Sequence, residues 1–294
     1  MRVYQPMLAK TSKEFLKGDN YIYEPKYDGI RCIAYIEKDG SFKLINRSLI
    51  DVTARFPEIG IEVDTNCILD GELVCFNDNR RPDFQLMQTR MNRKHDIEIL
   101  AEVNPAKFIP FDIIEYGGDY LGALPLAARK SILDVLTPDS TLWWTSEDTI
   151  APQSYLEQGW EGIMIKTKSG TYQPATRSSY WMKHKFLKSI EAVVLGYTQG
   201  FGRRLHTFGA LVLGVENESN NYEYIGECGT GFTDMEVENL KRLMDSVKLA
   251  TPLEIDGPQQ VKVWCNPVIK ILVQFLEISN DGLLRFPAYK GLVE

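Results

Sequence analysis

Ionisable residues set into β-type runs define the chemistry this chain could do. Lys26 follows the alternating run Tyr21-Ile22-Tyr23-Glu24-Pro25 and precedes Asp28-Gly29. A lysine amine has an ordinary pKa of about 10.4 and attacks an electrophile only when burial or nearby charge depresses that value. Arg31, on the next β-type run, is a charge of that kind. Glu72 stands after Asp70-Gly71 inside an apolar run, and Glu161 heads the run that ends at Lys166. A carboxylate left unpaired in such a place costs several kcal/mol, so each either faces solvent or meets a cation. Lys166, Lys183 and Lys185 supply cations, and Lys183 and Lys185, two apart, share one strand face. Ammoniums for phosphate oxygens, with carboxylates for a hard divalent ion, suit a nucleoside triphosphate. Neither a Walker loop nor a dinucleotide fingerprint is present. Each residue also has a plainer reading: a surface lysine before an Asp-Gly hairpin, a solvent-facing glutamate, or a structural ion pair.

The elements that must position these residues are short. Residues 21–36 read as a strand, a tight turn at Asp28-Gly29 and a second strand. A β-run at 42–48, a polar helical stretch at 51–59 and a strand at 67–76 follow, then an amphipathic helix at 83–93. The strand at 108–116 carries Pro110, which suggests an irregular edge. A helix at 126–136 and β-runs at 162–166 and 180–186 complete the first half, with a boundary near 187–190. Beyond it, runs at 191–197, 211–215, 222–226 and 271–279 alternate like the strands of a small barrel, interrupted by one helix at 234–246. Adjacent Trp143 and Trp144 are assigned to packing, and His95, His184 and His206, which lack ligand spacing, to polar or DNA-facing surface.

At 294 residues, 44% hydrophobic and 25% charged, the chain has material for two folded domains. Its net charge of -7 does not advertise a nucleic-acid partner, which would have to be met by a local basic surface. Arg203-Arg204 with His206, in a glycine-bounded loop, is the best such patch in the second half, with a merely solvated hairpin as the alternative. The five cysteines are odd in number and scattered, which argues against a disulfide framework or a zinc site and for a reducing compartment. Cys32, Cys67 and Cys75 read as buried thiols. There is no signal-peptide core and no membrane-length apolar run, so a soluble intracellular protein is expected.

Taken in order, these segments resemble the covalent nucleotidyltransferases. Lys26-Tyr27-Asp28-Gly29-Ile30-Arg31 is similar to that superfamily's KxDGxR signature. Asn46-Arg47-Ser48, Asp70-Gly71-Glu72, Phe111-Asp112-Ile113, Glu161 to Lys166 and Trp181 to Lys185 resemble its later motifs, in its order. Pro6-Met7-Leu8-Ala9 and the segments at 200–211, 229–232 and 284–287 resemble ATP-dependent DNA ligases, specifically the ligase module of bacterial end-joining ligases and small bacterial and phage enzymes.

The resemblance implies an α+β chain: a nucleotidyltransferase (adenylation) domain with antiparallel sheets over residues 1–188, then an all-β OB-fold barrel over 189–294. It implies that Lys26 attacks the α-phosphate of ATP, that AMP passes from the lysine to the 5′-phosphate of a nick, and that the 3′-hydroxyl displaces AMP. It places Glu24 on the adenine edge, Phe111 stacked on adenine, and Arg31 and Arg47 on ribose or phosphate, with Arg47 also on the nick. Glu72 would meet ribose or metal, Glu161 metal, and Lys166, Lys183 and Lys185 phosphate; Met164 is read as core. Mg²⁺ or Mn²⁺, nicked double-stranded DNA bound through Arg47, Arg203 and Arg204, a monomeric state, and the cytoplasm of a bacterial or phage-infected cell complete the expectation, with roles in DNA repair, replication and recombination.

The last motif stops soon after Arg285-Phe286-Pro287, which leaves Arg285 and Lys290 to orient pyrophosphate and implies a first step that is slow or supported elsewhere. The rival readings are a capping guanylyltransferase, an RNA ligase, and a catalytically silent nucleic-acid binder on the same scaffold.

Overall fold

Alternation of side chains along short strands organises this chain, whose computed structural model describes residues 3–61, 63–78, 80–136, 160–217, 221–257, 260–279 and 281–293. Trp143 and Trp144 lie outside the described residues. Two compact units are present, Met1–Phe186 and Leu187–Glu294.

The first unit contains β1 (Leu8–Thr11), β2 (Tyr21–Pro25), β3 (Ile30–Ile36), β4 (Phe42–Asn46), β5 (Cys67–Cys75), β6 (Ala106–Tyr116), β7 (Asp119–Tyr120), β8 (Gly162–Thr167) and β9 (Arg177–Lys185). Its helices are α1 (Phe84–Asn92), α2 (Ile97–Val103) and α3 (Leu126–Val135). One sheet has the order β4-β3-β5-β6-β7 and is antiparallel throughout; the other has the order β1-β9-β8-β2. The sheets are mostly antiparallel, as expected, with β1 and β9 running parallel.

β3 is apolar on both faces, and the period of two sorts its residues. Cys32, Ala34 and Ile36 pack with Leu44, Leu69, Phe108 and Met87. Ile33 and Tyr35 join Phe111, Tyr172 and Trp181, so the second face of the larger sheet is closed by β9 of the smaller one. All five cysteines are buried free thiols.

The expected hairpin around Lys26 does not form. β2 pairs with β8, whereas β3 pairs with β4 and β5, so Lys26 to Gly29 cross from one sheet to the other. Gly29 is needed for close approach: a Cβ there would fall on the Leu73 carbonyl oxygen and the Glu72 side chain. Gly29→Ala is therefore expected to destabilise the protein by about 1–3 kcal/mol, as overpacking does, read as a lowered denaturation midpoint; an unchanged midpoint would contradict this packing.

The helix expected at 51–59 is only a 3-10 turn, Thr53–Arg55. Asp51 accepts from the Thr53 amide and hydroxyl, and the Thr53 hydroxyl accepts from the Leu44 amide. Local bonds of this kind divert the backbone from a helix. α1 falls where its amphipathic pattern put it, capped by the Asp83 carboxylate, which accepts from the Gln85 and Leu86 amides. Pro110 sits opposite Gly71, where the register between β5 and β6 shifts at a bulge. α2 was not legible in the sequence.

In the second unit, β10 (Lys188–Thr198), β11 (Leu211–Glu216), β12 (Tyr222–Cys228), β13 (Val261–Trp264), β14 (Lys270–Phe275) and β15 (Ala288–Leu292) form one sheet around the core, with α4 (Asp234–Ser246) packed on it. β13 and β15, four and five residues long, are too short to show a clear alternation. Along β10, Ala192 and Val194 enter the main core while Val193 and Leu195 face a second cluster. α4 buries Val237, Leu240 and Met244 along one stripe, and its start is fixed by a capping box between Thr233 and Glu236. Thr233→Ala should cost about 1 kcal/mol, seen in urea as a lower midpoint at constant slope.

Candidate active site

Strand register assembles the site within the first unit. On β8, Ile163 and Ile165 face a small apolar cluster with Tyr21, Tyr23 and Met182. The alternate residues, Met164 and Lys166, therefore share the opposite face with Glu24 of β2 and with Trp181 and Lys183 of β9, their cross-strand neighbours. The larger sheet contributes Arg31 from β3, Glu72 directly opposite it on β5, and Phe111 from β6. Together with Lys26 and Arg47 these residues line a cavity of about 220 Å³.

Lys26 follows the last pair of β2, its amide donating to the Gly162 carbonyl at 2.9 Å. Its Nζ pairs with Glu161, whose other carboxylate oxygen is 2.7 Å from Lys185 Nζ. Burial alone would raise the Glu161 pKa; Lys26 and Lys185 outweigh it and hold the carboxyl below its ordinary value. Lys183 is pushed down by partial burial and by the neighbouring charges of Lys185, Lys26 and Arg177. Such mutually repelling ammoniums favour an incoming polyanion.

At the inner end, Glu24 is 2% exposed and Lys166, expected on phosphate, is 1% exposed with its ammonium claimed by the Glu24 carboxylate. Lys166 Nζ lies 2.6 Å from Glu24 and 4.4 Å from the ring centroids of both Phe111 and Trp181. Desolvation lowers its pKa to about 8 despite Glu24. The carboxyl of Glu24 is held below its usual range, since Lys130 and Lys166 outweigh its burial. Glu72 differs: burial drives its carboxyl up to about 7 against the pull of Arg31 and Lys26.

Arg31, expected on ribose or phosphate, is largely committed to the wall. Its Nε and Nη2 donate to Asp70 at 2.5 Å each, Nη2 also donates to the Met7 carbonyl at 3.0 Å, and the guanidinium lies 4.7 Å from the Phe111 centroid. Tyr172 donates to the same Asp70 at 2.5 Å and accepts from the Met7 amide, so Asp70 ties the start of β1 to the cavity. Arg47 is exposed at the rim.

Other expectations are redirected in the same way. Arg204, expected on DNA, turns inward: Nη1 donates to the carbonyls of Gly229 at 2.8 Å and Gly209 at 3.2 Å, and the guanidinium stands over Phe232, leaving Arg203 as the exposed cation of that turn. His184 packs edge-on against Phe15 and Phe186 rather than at a polar surface. Arg285 pairs with Glu277. Met164, read as core, lines the cavity, as do Trp181 and Arg177. Register parity with Lys166 could have pointed to Met164; nothing in the sequence marked Trp181 as cavity wall rather than core.

The described residues hold no cluster of three or more metal-ligating side chains. Glu72 and the ion-paired Glu161 are the carboxylates expected to meet a divalent ion. That donor set fits Mg²⁺, which keeps several waters and leans on substrate phosphates, better than an ion that requires a protein cage.

A small cavity lined by cations and rings, with one ion-paired lysine at its mouth, is of the nucleotide-binding class. Comparison with known proteins is more specific. Residues 6–185 match the family described as ATP dependent DNA ligase domain, and residues 204–294 the ATP dependent DNA ligase C terminal region. The chain belongs to the ATP-dependent DNA ligase family, with a nucleotidyltransferase domain followed by an OB-fold domain.

It is 34% identical over 291 residues to the DNA ligase of Haloferax volcanii, covering 90% of this chain and 48% of that one. It is 30% identical over 304 residues to the multifunctional non-homologous end joining protein LigD of Mycolicibacterium smegmatis, covering 98% and 38%. The chain thus spans about half the length of the curated relatives it matches, which come from archaea as well as bacteria. The ligase domain of M. tuberculosis LigD is 25% identical with a TM-score of 0.55, over 99% of this chain and 95% of that one. A Lig E DNA ligase, 22% identical over 99% and 100% of the two chains, shares the fold at a TM-score of 0.66.

Proposed function

We propose that this chain is an ATP-dependent DNA ligase that seals 5′-phosphate/3′-hydroxyl nicks through a lysyl-AMP intermediate. The observation that supports it most is Lys26 Nζ held on Glu161 at the mouth of a cavity whose inner end carries Glu24, Phe111 and Lys166. The adenine would enter between Glu24, Lys166 and Phe111, with the phosphates toward Lys183 and Lys185. Glu161 orients the amine. The free-base amine of Lys26 makes the bond to the α-phosphorus as the bond to the pyrophosphate oxygen breaks, releasing pyrophosphate and a proton. A 5′-phosphate oxygen of the nick then takes the AMP as the lysine N–P bond breaks, and the 3′-hydroxyl displaces AMP to close the phosphodiester.

The ammoniums of Lys183 and Lys185 stabilise charge on the reacting phosphoryl group, which is where such groups act most strongly. Glu72 and Glu161 are the side chains that would hold Mg²⁺, or Mn²⁺ in its place, and a bound ion would further neutralise the phosphate oxygens. Nicked duplex DNA would be gripped through its phosphates by Arg47 and Arg203, with Arg204 shaping the turn that presents Arg203. A monomer acting inside the cell, where ATP and DNA are found, completes the reading, consistent with repair, replication or recombination; among the described residues no helix is long and apolar enough to cross a membrane.

The test is a duplex with one labelled nick, incubated with the protein, Mg²⁺ and either ATP or GTP, and resolved under denaturing conditions. Sealing with ATP alone is expected. Transfer from GTP to an RNA end would support a capping enzyme instead, and retained nick binding with no sealing, even of a pre-adenylated nick, would indicate a silent binder.

A further inference from the structure

Helix α3 carries an anomaly that the proposed reaction does not use. Its buried residues are Leu126, Arg129, Lys130 and Leu133, so two adjacent cations, one of them a lysine only 4% exposed, sit between the two leucines of its inner face. Burying an ammonium in a core stripe is costly unless it is paired. Its partner is the carboxylate of Glu24: Lys130 Nζ lies 2.6 Å from Oε1, while Lys166 Nζ lies 2.6 Å from Oε2. Each oxygen of one buried carboxylate therefore lies against its own buried ammonium, the Oε1 contact being an ion pair and not a directed hydrogen bond.

The two lysines stand on different sides. Lys166 lines the cavity, whereas Lys130 does not and reaches Glu24 from α3, behind the wall. α3 is fixed there by the residue next to Lys130. The guanidinium of Arg129 donates from Nε and Nη2 to Asp112 at 2.7 and 2.8 Å, and from Nη1 to the Leu124 and Gly170 carbonyls. The Lys130 ammonium is thus delivered from a rigid support.

We propose that Lys130 is a positioning residue for nucleobase choice: by fixing Oε1 from behind the wall it keeps Glu24 an oriented, acceptor-only carboxylate. The inference rests on the nucleotide reading above and specifies how that site chooses its base. An ionised carboxylate accepts hydrogen bonds and cannot donate them. Adenine offers an exocyclic amino donor where guanine offers a carbonyl acceptor. A fixed carboxylate facing the 6-position gains a bond from the adenine amino group and meets like polarity in the guanine carbonyl. Without Lys130 the carboxylate has a single cation and can rotate or take up a proton; as an acid it would donate to the guanine carbonyl, and the discrimination would fade. A site built to bond one partner rejects another mainly through the group it would leave unpaired.

The experiment measures equilibrium binding of ATP and GTP to the full chain and to Lys130→Met, Lys130→Arg and Glu24→Gln, with a thermal melt of each. Self-labelling by each nucleotide is followed in parallel. In Lys130→Met, ATP affinity should fall about ten- to a hundred-fold with GTP affinity held or raised. The rate of labelling at saturating ATP should change far less, and Lys130→Arg should keep the preference. A folded Lys130→Met with the wild-type ATP/GTP ratio would overturn the proposal. If Lys130→Met does not fold, Lys130→Arg decides: a retained preference supports it, and a preference lost to the level of Glu24→Gln overturns it. Wild-type chain that binds ATP without becoming labelled would sink the ligase chemistry while leaving Lys130 to be judged on binding; chain that binds neither nucleotide would sink both.

Discussion

Lys26→Ala should abolish covalent attachment of AMP, a loss on the order of ten-thousand-fold or more, the scale seen when a nucleophile is removed. The residue has two structural attachments, its amide on the Gly162 carbonyl and its Nζ on Glu161, and truncation at Cβ removes only the second. The fold should therefore survive, with an unchanged melting profile and a cavity still lined by Glu24, Phe111 and Lys166. Lys26→Arg should fail equally, because a guanidinium stays protonated and offers no lone pair. Sealing of a nick that already carries AMP does not use the lysine as a nucleophile, so it should survive in both variants at a much higher fraction of wild-type activity. Equal loss on both substrates would mean that Lys26 acts by binding DNA rather than by carrying AMP.

Arg129→Met should be the most damaging single change to stability. Arg129 and Asp112 are both essentially inaccessible, and the guanidinium satisfies the carboxylate in a two-point contact while tying two backbone carbonyls to α3. Removing one partner of a buried pair leaves the other as an uncompensated charge, at a cost of about 3–5 kcal/mol. Much of a domain's net stability would be gone. Circular dichroism during urea titration should show early unfolding; Arg129→Met together with Asp112→Leu, which removes both charges, should recover much of the loss. A single mutant as stable as the wild type would contradict the pairing.

What the sequence made legible follows from period. Lys183 and Lys185 share a face because strand side chains alternate, and the same rule puts Lys166 and Met164 beside Glu24. α4 was readable to the residue because its cap and its stripe agree: Thr233 with Glu236, then Val237, Leu240 and Met244. The Asp28-Gly29 pair misled because a glycine required for close approach to Leu73 looks, in one dimension, like a glycine required for a turn. Arg31 and Arg204 could be assigned to anions by type, but carbonyls and a carboxylate from residues 5–39 positions away claim them, and no local pattern reports that. Lys130 was hidden by the same long-range pairing, since Glu24 lies on a distant strand.

The most direct measurement is the intact mass of the purified protein after incubation with ATP and Mg²⁺, followed by peptide mapping and then by addition of nicked duplex. One AMP should be added, carried on the peptide containing Lys26, and should disappear as the nick is sealed. AMP found on another residue, or an adduct on Lys26 that nicked DNA does not discharge, would contradict it.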